Sequence, residues 1–184
     1  MLLFRGNGDA RLPLSRTSLP IQLKGDCQHV MTDQTIHPIQ PKLEFDVVAR
    51  RLSAHGSQAL CKRATIALDT DMAGNQDAFN PAELLLAALA ACMIKGIERV
   101  VPLLKFDLRG VQVQVHGTRQ DVPPCMESIR YRIEVDTDEP EHRLTLLHEN
   151  VKKYGTVFNT VAPGTDLSGV MLRKKSDPVI NALK

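Results

Sequence analysis

The chain contains no tryptophan, and aromatic residues make up only 4% of its 184 residues. Proteins that bind single-stranded nucleic acids use aromatic side chains as stacking platforms, so this composition gives that class no support. Charge gives it none either, because 23 basic and 21 acidic residues are scattered along the chain and leave a formal net charge of +2. We therefore expect no nucleic-acid partner.

Sequence motifs of several enzyme and metal-binding classes are also missing. The histidines form no HExxH or His-x-His pair, and the chain has no glycine-rich phosphate loop and no GxSxG. We therefore expect no metal ion and no bound cofactor. The cysteines form no CxxC pair; they are Cys27, Cys61, Cys92 and Cys125. A chain of this length does not depend on disulfides for its stability, so free thiols indicate a reducing cytoplasm.

No stretch of the chain predicts a membrane span, because none reaches about 20 uninterrupted apolar residues. The first residues are too briefly apolar for a secretory signal, and a transit peptide is disfavoured by an early aspartate and several prolines. Residues 1–41 predict a proline-broken extension with a candidate edge strand at Leu19–Leu23. We expect one domain over residues 42–175, followed by a charged tail over residues 176–184.

The most informative stretch is the apolar run Ala82–Ile97, which follows Asn80 and Pro81. Asn is a good N-cap, and Pro suits the first turn of a helix, so a helix is predicted to begin here and to end near Pro102. Glu83 and Lys95 are its only charged residues, which predicts a helix buried nearly all round. Cys92 lies in the middle of this helix.

Alternating apolar and polar residues predict strands before and after this helix. The first begins near Phe45, a turn follows at residues 54–57, and a second strand runs from Ala59 to Leu68. After the helix, strands are predicted at residues 111–116 and 129–135, each with one polar face, and a loop at residues 117–124. The pattern favours an antiparallel sheet that is solvated on one side.

A second, amphipathic helix is predicted to begin near Glu141 and to end before Gly155, with a short helical turn at Thr156–Val161 and a last strand at Leu167–Leu172. The element order predicts an α+β fold with an antiparallel sheet packed around a long buried central helix. One sheet covers only part of such a helix, so we infer a homodimer in which a second subunit covers the rest.

The Asn-Pro start, the Ala/Leu-rich helix and the Ala90-Ala91-Cys92 sequence resemble the central helix of the OsmC/Ohr family, the osmotically inducible and organic hydroperoxide resistance proteins. The resemblance covers roughly residues 45–174. It implies an intertwined homodimer in which Cys92 is the peroxide-reacting thiol. Proteins of the hydroperoxide branch also use a Glu directly after Asn-Pro, an Arg from an early strand or turn, and a second Cys in a later Cys-Pro motif.

This sequence departs from that pattern at two positions. Ala82 follows Pro81 directly, and Glu83 lies one residue later, about 100° further round the helix. Gly155-Thr156 takes the place of Cys-Pro, so the resolving thiol is missing, and Cys125 can replace it only if its loop reaches Cys92. The arginine is Arg50 or Arg51, with His55 as another possible partner of the thiol. The candidate catalytic residues are therefore Cys92, Glu83, Arg50 and Arg51.

These residues predict reduction of a small organic hydroperoxide by Cys92, whose sulfenate is then recycled by an external thiol or dithiol. We expect an apolar substrate pocket that is completed by the second subunit and lined by Leu85, Leu89 and Met93. The alternative is a non-catalytic dimer that binds a small apolar ligand, with Cys92 only packed. Ala82 and Gly155 favour the alternative, whereas Cys92 favours the peroxidase.

Overall fold

The computed structural model of the chain describes residues 42–174, nearly all of which belong to the compact unit that begins at Glu44. The predicted extension over residues 1–41, its edge strand and the tail over residues 176–184 lie outside the described residues. Within the described part, a short 3-10 helix (Ala162–Gly164) precedes the last strand. The other elements are β1 (Val48–Ser53), β2 (Gly56–Cys61), β3 (Ala64–Leu68), α1 (Pro81–Leu104), β4 (Gly110–Asp121), β5 (Pro124–Asp136), α2 (Glu141–Tyr154), α3 (Thr156–Val161) and β6 (Asp166–Arg173).

Strands β1, β2 and β3 form an antiparallel sheet in that order, which we call the first sheet. The predicted turn after β1 is confirmed. The prediction of one strand over Ala59–Leu68 is wrong, because the chain turns at Lys62 and Arg63 and divides it into β2 and β3. Lys62 takes a positive φ of 55° there. Neither Gly nor Pro marks this turn, so the usual sequence signal is missing.

Strands β4, β5 and β6 form the second sheet, with β5 in the centre. The pair β4–β5 is a long antiparallel hairpin in which Val113 lies opposite Ile133. The predicted loop at residues 117–124 is wrong over most of its length, because β4 continues to Asp121 and β5 begins at Pro124. β6 runs parallel to β5, with Met171 opposite Ile133, which corrects the expectation of a purely antiparallel sheet. Helices α2 and α3 provide the crossover that a parallel pair requires.

Helix α1 begins as predicted and runs for 24 residues. The side chain of Asn80 accepts a hydrogen bond from the Glu83 backbone N–H, and the Glu83 carboxylate accepts one from the Asn80 N–H. This reciprocal capping box satisfies two N–H groups that the helix leaves unpaired. The helix continues through Pro102 and ends at Leu104, where Lys105 adopts a left-handed conformation with φ 49°.

The hydrophobic core lies between the second sheet and one side of α1 and α2. It contains, among others, Leu89, Met93 and Ile97 from α1, Ile129, Tyr131, Ile133 and Val135 from β5, and Leu144, Leu147 and Val151 from α2. Gly96 lets the two helices approach closely, since a Cβ placed there would lie 3.4 Å from Val151 Cγ1. The other side of α1, with Ala88, Ala91 and Lys95, is exposed in the described protomer.

No helix of the described residues is both long enough and apolar enough to cross a membrane.

Candidate functional site

The thiol of Cys92 is free and half-buried in the middle of α1. It faces the junction of α2 and α3, where Gly155 both ends α2 and caps α3. A Cβ placed on Gly155 would lie 3.6 Å from Cys92 Sγ. The fold therefore brings Cys92 next to the position where the sequence resemblance implied a second cysteine.

The space around Gly155 is tight. The same Cβ would lie 3.0 Å from Phe158 Cβ and 3.0 Å from the Val151 carbonyl oxygen. These contacts are closer than ordinary van der Waals packing, so any side chain at residue 155 requires a small shift of α3. The half-buried thiol of Cys92 therefore faces a junction that has little room for a side chain at residue 155.

Glu83 does not reach Cys92 within one protomer. Its carboxylate is engaged in the capping box, where Oε2 lies 2.9 Å from the Asn80 nitrogen. Glu83 and Cys92 lie about 13 Å apart along the axis of α1 at 1.5 Å per residue. A contact between them requires the α1 helix of a second copy.

Arg50 and Arg51 are both exposed on β1 and, as neighbours in a strand, lie on opposite faces of the first sheet. Arg51 lies opposite Ser57. Neither guanidinium forms an ion pair within residues 42–174. Either one is therefore available to a group from outside the protomer, and the geometry does not choose between them.

His55 already has a partner in the turn after β1. Its Nδ1 lies 2.8 Å from Asp71 Oδ2. The Ala73 backbone N–H and, to a smaller extent, His55 hold the pKa of the Asp71 carboxyl below its usual value. His55 therefore interacts with the loop before α1 and not with Cys92 of the same protomer.

The predicted pocket residues are not equivalent in the protomer. Leu89 and Met93 are fully buried in the core against the second sheet, whereas Leu85 is half-buried. A pocket that these three side chains line together with a second subunit stays a prediction.

Cys125 lies on the exposed tip of the β4–β5 hairpin. Helix α1 contacts the hairpin near its start, where Leu86 lies against Gly117. The other end of α1 lies beside α2, since the Leu104 carbonyl oxygen accepts a hydrogen bond from Arg143, so the helix runs away from the hairpin tip. The protomer therefore does not bring Cys125 to Cys92. Cys61 lies on β2, in the first sheet.

A small apolar cavity of about 210 Å³ lies between the first sheet and the start of α1. Its lining consists of Val47, Ala59, Leu60, Cys61, Ala64, Ile66 and Leu84. Its walls are almost wholly apolar, which suits a small apolar group and not a charged one. Among the described residues, no group of three His, Cys, Asp or Glu side chains is arranged to hold a metal ion.

The family of this chain follows from a match to a known family model. The family model described as OsmC-like protein matches residues 74–168, which is more than half of the chain and includes Cys92 and Gly155. The chain belongs to the OsmC-like family. No curated protein matches the chain.

Solved structures of this family share the fold. An OsmC-like protein from Mycoplasma pneumoniae is 18% identical, covers 72% of this chain and 99% of its own, and has a TM-score of 0.64. An organic hydroperoxide resistance protein OsmC from Legionella pneumophila is 16% identical over 71% of this chain and 98% of its own, with a TM-score of 0.56. The organic hydroperoxide resistance protein OhrB of Bacillus subtilis is 14% identical over 71% of this chain and 98% of its own, with a TM-score of 0.55.

In this OsmC-like chain, a partly buried polar pair lies close to the candidate site and was not predicted from the sequence. The Tyr131 hydroxyl lies 2.8 Å from His148 Nε2, and the Tyr131 ring meets the Phe158 ring edge-on. Burial raises the pKa of Tyr131 to about 12, and burial followed by Lys152 lowers the pKa of His148. The strand alternation placed Tyr131 on the inner face, but no sequence signal links strand β5 to helix α2.

Proposed function

We propose that this OsmC-like protein reduces organic hydroperoxides through Cys92. The observation that carries the proposal is the placement of Cys92 as a free, half-buried thiol in the central helix, in contact with the α2–α3 junction. The family resemblance in the sequence implies that this cysteine reacts with the peroxide. Two structural neighbours are named organic hydroperoxide resistance proteins, which supports the same class of reaction.

The reaction is a transfer of one oxygen atom to sulfur. The Cys92 thiolate attacks one peroxide oxygen, so that an S–O bond forms as the O–O bond breaks. The organic part leaves as an alkoxide and takes up a proton to become the alcohol. Cys92 is oxidised to the sulfenic acid, and the hydroperoxide is reduced.

The working form in this proposal is a homodimer. Glu83 and Cys92 are symmetric about the Ala87–Ala88 peptide, and Ala88 is exposed in the protomer. A second α1 crossing antiparallel at these small residues brings its Glu83 level with Cys92 along the axis, although the two residues project from opposite sides of α1, since nine residues turn a helix by about 180°. The first sheet offers a matching apolar face with Ala59 and Ile66, and Arg51 lies on that face because Ser57 opposite it is two residues from Ala59.

The return of Cys92 to the thiol requires a reductant from outside the chain, because Gly155 carries no thiol next to it. Free cysteines are typical of proteins in the reducing cytoplasm, and the cytoplasm supplies such thiols. One external thiol condenses with the sulfenic acid to form a mixed disulfide and water. A second external thiol then attacks the sulfur of the first in this mixed disulfide, so that Cys92 leaves as the thiol and the two external thiols leave as their disulfide.

The test is the consumption of cumene hydroperoxide by the purified protein with a dithiol reductant, together with its intact mass after oxidation without reductant. Wild type should turn over and gain one oxygen, and Cys92→Ser should do neither. Cys61→Ser and Cys125→Ser are the matched controls and should behave as wild type. If wild type and Cys92→Ser consume peroxide equally, the proposal is wrong.

A second candidate function is the binding of a small apolar ligand without catalysis. The apolar cavity of about 210 Å³ between the first sheet and α1 favours it. Native mass spectrometry of the protein, followed by extraction, measures this directly. A bound apolar molecule that is lost in Ile66→Ser, with Cys92 inert to peroxide, would replace the peroxidase proposal with this one.

A further inference from the structure

We propose that Tyr131 is a positioning residue for Cys92: it ties helices α2 and α3 to strand β5 and so sets the room beside the Cys92 sulfur. This inference rests on the proposed function, because that room decides how large a reactant can be when it meets the sulfur. Tyr131 is 4% exposed in β5, the central strand of the second sheet. It acts through the residues that it holds and needs no contact with a substrate.

The Tyr131 side chain interacts with both helices that meet at the α2–α3 junction. Its hydroxyl oxygen lies 2.8 Å from Nε2 of His148 on α2, within hydrogen-bonding distance. Its ring meets the ring of Phe158 on α3 edge-on, with the ring centres 6.1 Å apart and the planes at 81°. This is a favourable arrangement for two aromatic rings. One residue of the sheet therefore holds α2 by a hydrogen bond and α3 by an aromatic contact.

The two contacts lead to the part of the junction that lies beside Cys92. A Cβ placed on Gly155 would lie 3.0 Å from Phe158 Cβ and 3.6 Å from Cys92 Sγ. On α2, Val151 follows His148 by three residues, and its carbonyl oxygen would lie 3.0 Å from the same Cβ. A shift of either helix therefore changes the distance between the junction and the sulfur.

Helix α3 has few other contacts that hold it in place. It contains six residues, none of them buried, and no side chain caps its start. A helix this short depends on tertiary contacts for its stability. Its packing on the core comes from three half-buried apolar residues, Val157, Phe158 and Val161. The contact of Phe158 with Tyr131 is therefore a substantial part of what keeps α3 beside Cys92.

The Tyr131 ring is itself closely confined. Gly169 of β6 lies against it, and a Cβ at that position would overlap the ring. Side chains packed this closely have little room to move. The position of the ring in the sheet is therefore passed on to His148 and Phe158.

Loss of the Tyr131 hydroxyl should let the junction open more often, because His148 then has no partner in β5. A large reactant that needs the junction to move should gain from this opening, whereas a small reactant should gain little. A change in the thiolate fraction of Cys92 would act on both reactants alike, since the thiolate is the nucleophile in each case. The ratio of the two rates therefore reports the room beside the sulfur.

The test measures this ratio with two neutral reagents that share one reactive group, N-(1-pyrenyl)maleimide as the large one and N-ethylmaleimide as the small one. Intact mass follows the alkylation of Cys92, and neither reaction requires peroxidase activity. The other cysteines are removed by the background substitutions Cys27→Ser, Cys61→Ser and Cys125→Ser.

Tyr131→Phe should raise the ratio of the large to the small reagent about two- to tenfold, which is the change in an equilibrium that one hydrogen bond makes. His148→Leu should raise it by a similar factor, and the double variant should add little to either, because both substitutions remove the same bond. Ile133→Val is the matched control. It loses a methylene at a 0% exposed position of the same strand and should leave the ratio unchanged.

The inference is overturned if Tyr131→Phe leaves the ratio at the wild-type value, or if Ile133→Val raises it equally. The proposed function is judged separately by the gain of one oxygen on Cys92 with cumene hydroperoxide. A chain that gains oxygen but keeps its ratio in Tyr131→Phe retains the peroxidase and loses the positioning role. A chain whose ratio rises but which gains no oxygen retains Tyr131 as the residue that sets access to Cys92 and loses the peroxidase.

Discussion

The two sheets have the same number of strands but differ in how they are covered. The second sheet is packed beneath α1 and α2, and its central strand buries Ile129, Tyr131, Ile133 and Val135 almost completely. The first sheet leaves large apolar side chains such as Leu52 and Ile66 open, and only Ala59 is buried within it. Apolar surface contributes to stability only where it leaves water, so the protomer derives its core from the second sheet.

The exposed apolar face of the first sheet is suited to packing against a second copy of the chain. A sheet with an apolar face must pack that face against another layer, and in the described protomer Leu84 is the α1 residue that lines the cavity beside this face. The exposed side of α1 has the same need. A second copy that covers both surfaces satisfies them together, which is the physical basis of the proposed homodimer.

The largest expected effect compares one isoleucine in each sheet. Ile133 is 0% exposed in β5, whereas Ile66 is 44% exposed in β3. Ile133→Ala should lower the free energy of unfolding by about 2–5 kcal/mol, because it leaves a cavity in a closed core. Ile66→Ala should cost much less at protein concentrations where the chain is monomeric. Urea unfolding measures both, and equal losses would contradict the difference between the sheets.

The next effect concerns assembly. Ile66→Arg places a charge on the apolar face that the proposed dimer covers, so it should turn a dimeric protein into a monomer. Light scattering after size-exclusion chromatography gives the mass. Val170→Arg is the control, because Val170 is similarly exposed but lies on β6 in the second sheet. A monomeric wild type, or a dimer that survives Ile66→Arg, would remove the role assigned to the first sheet.

A smaller effect is expected at the edge of the second sheet. Gly169 in β6 lies against Tyr131, and a Cβ there would overlap the Tyr131 carbonyl oxygen and ring. Gly169→Ala should therefore destabilise the fold by about 1–3 kcal/mol through overpacking. Gly164→Ala is the matched control, since a Cβ there meets nothing within 4 Å. Thermal unfolding that shows the same midpoint for both variants would contradict this account of β6.

Much of the fold was predictable where local chemistry decides it. The start of α1 follows from Asn80, Pro81 and Glu83, whose capping interactions involve only neighbours in sequence. The turn at Lys62 was missed because a lysine in a left-handed conformation has no turn signature. The parallel direction of β6 was missed because strand direction depends on where the crossover helices pack, and no pattern within a strand encodes it.

The candidate site was predictable only in part, for the same reason. Cys92 is recognisable from the helix sequence, and Gly155 from its place in a later motif. That these two residues touch depends on the packing of α1 against the α2–α3 junction through Gly96 and Val151. The separation of Glu83 from Cys92 follows from helix geometry. Arg50 and Arg51 are both exposed on β1, so a choice between them rests on the proposed dimer interface.

The smallest expected effect concerns how the stability contributed by the Tyr131–His148 pair, between β5 and α2, depends on pH. Burial and Lys152 lower the pKa of His148, so the folded protein holds this residue neutral while the unfolded chain binds a proton at about pH 6.5 and below. Its contribution to stability is therefore present above about pH 6.5 and lost as the pH falls through that value. Burial raises the pKa of Tyr131, so the contribution of its hydroxyl is lost as the pH rises above about 10.

His148→Gln should therefore flatten the fall in stability between about pH 7 and pH 5, by less than about 1 kcal/mol because the imidazole is only half-buried. His142→Gln, an exposed residue on the same helix, should leave the profile as it is. Urea midpoints across this range measure both. The histidine pair beside the first sheet, His55 with Asp71, is exposed, whereas Tyr131 and His148 form a partly buried pair between β5 and α2. An equal flattening by His55→Gln would therefore show that the acid sensitivity does not belong to the pair between β5 and α2.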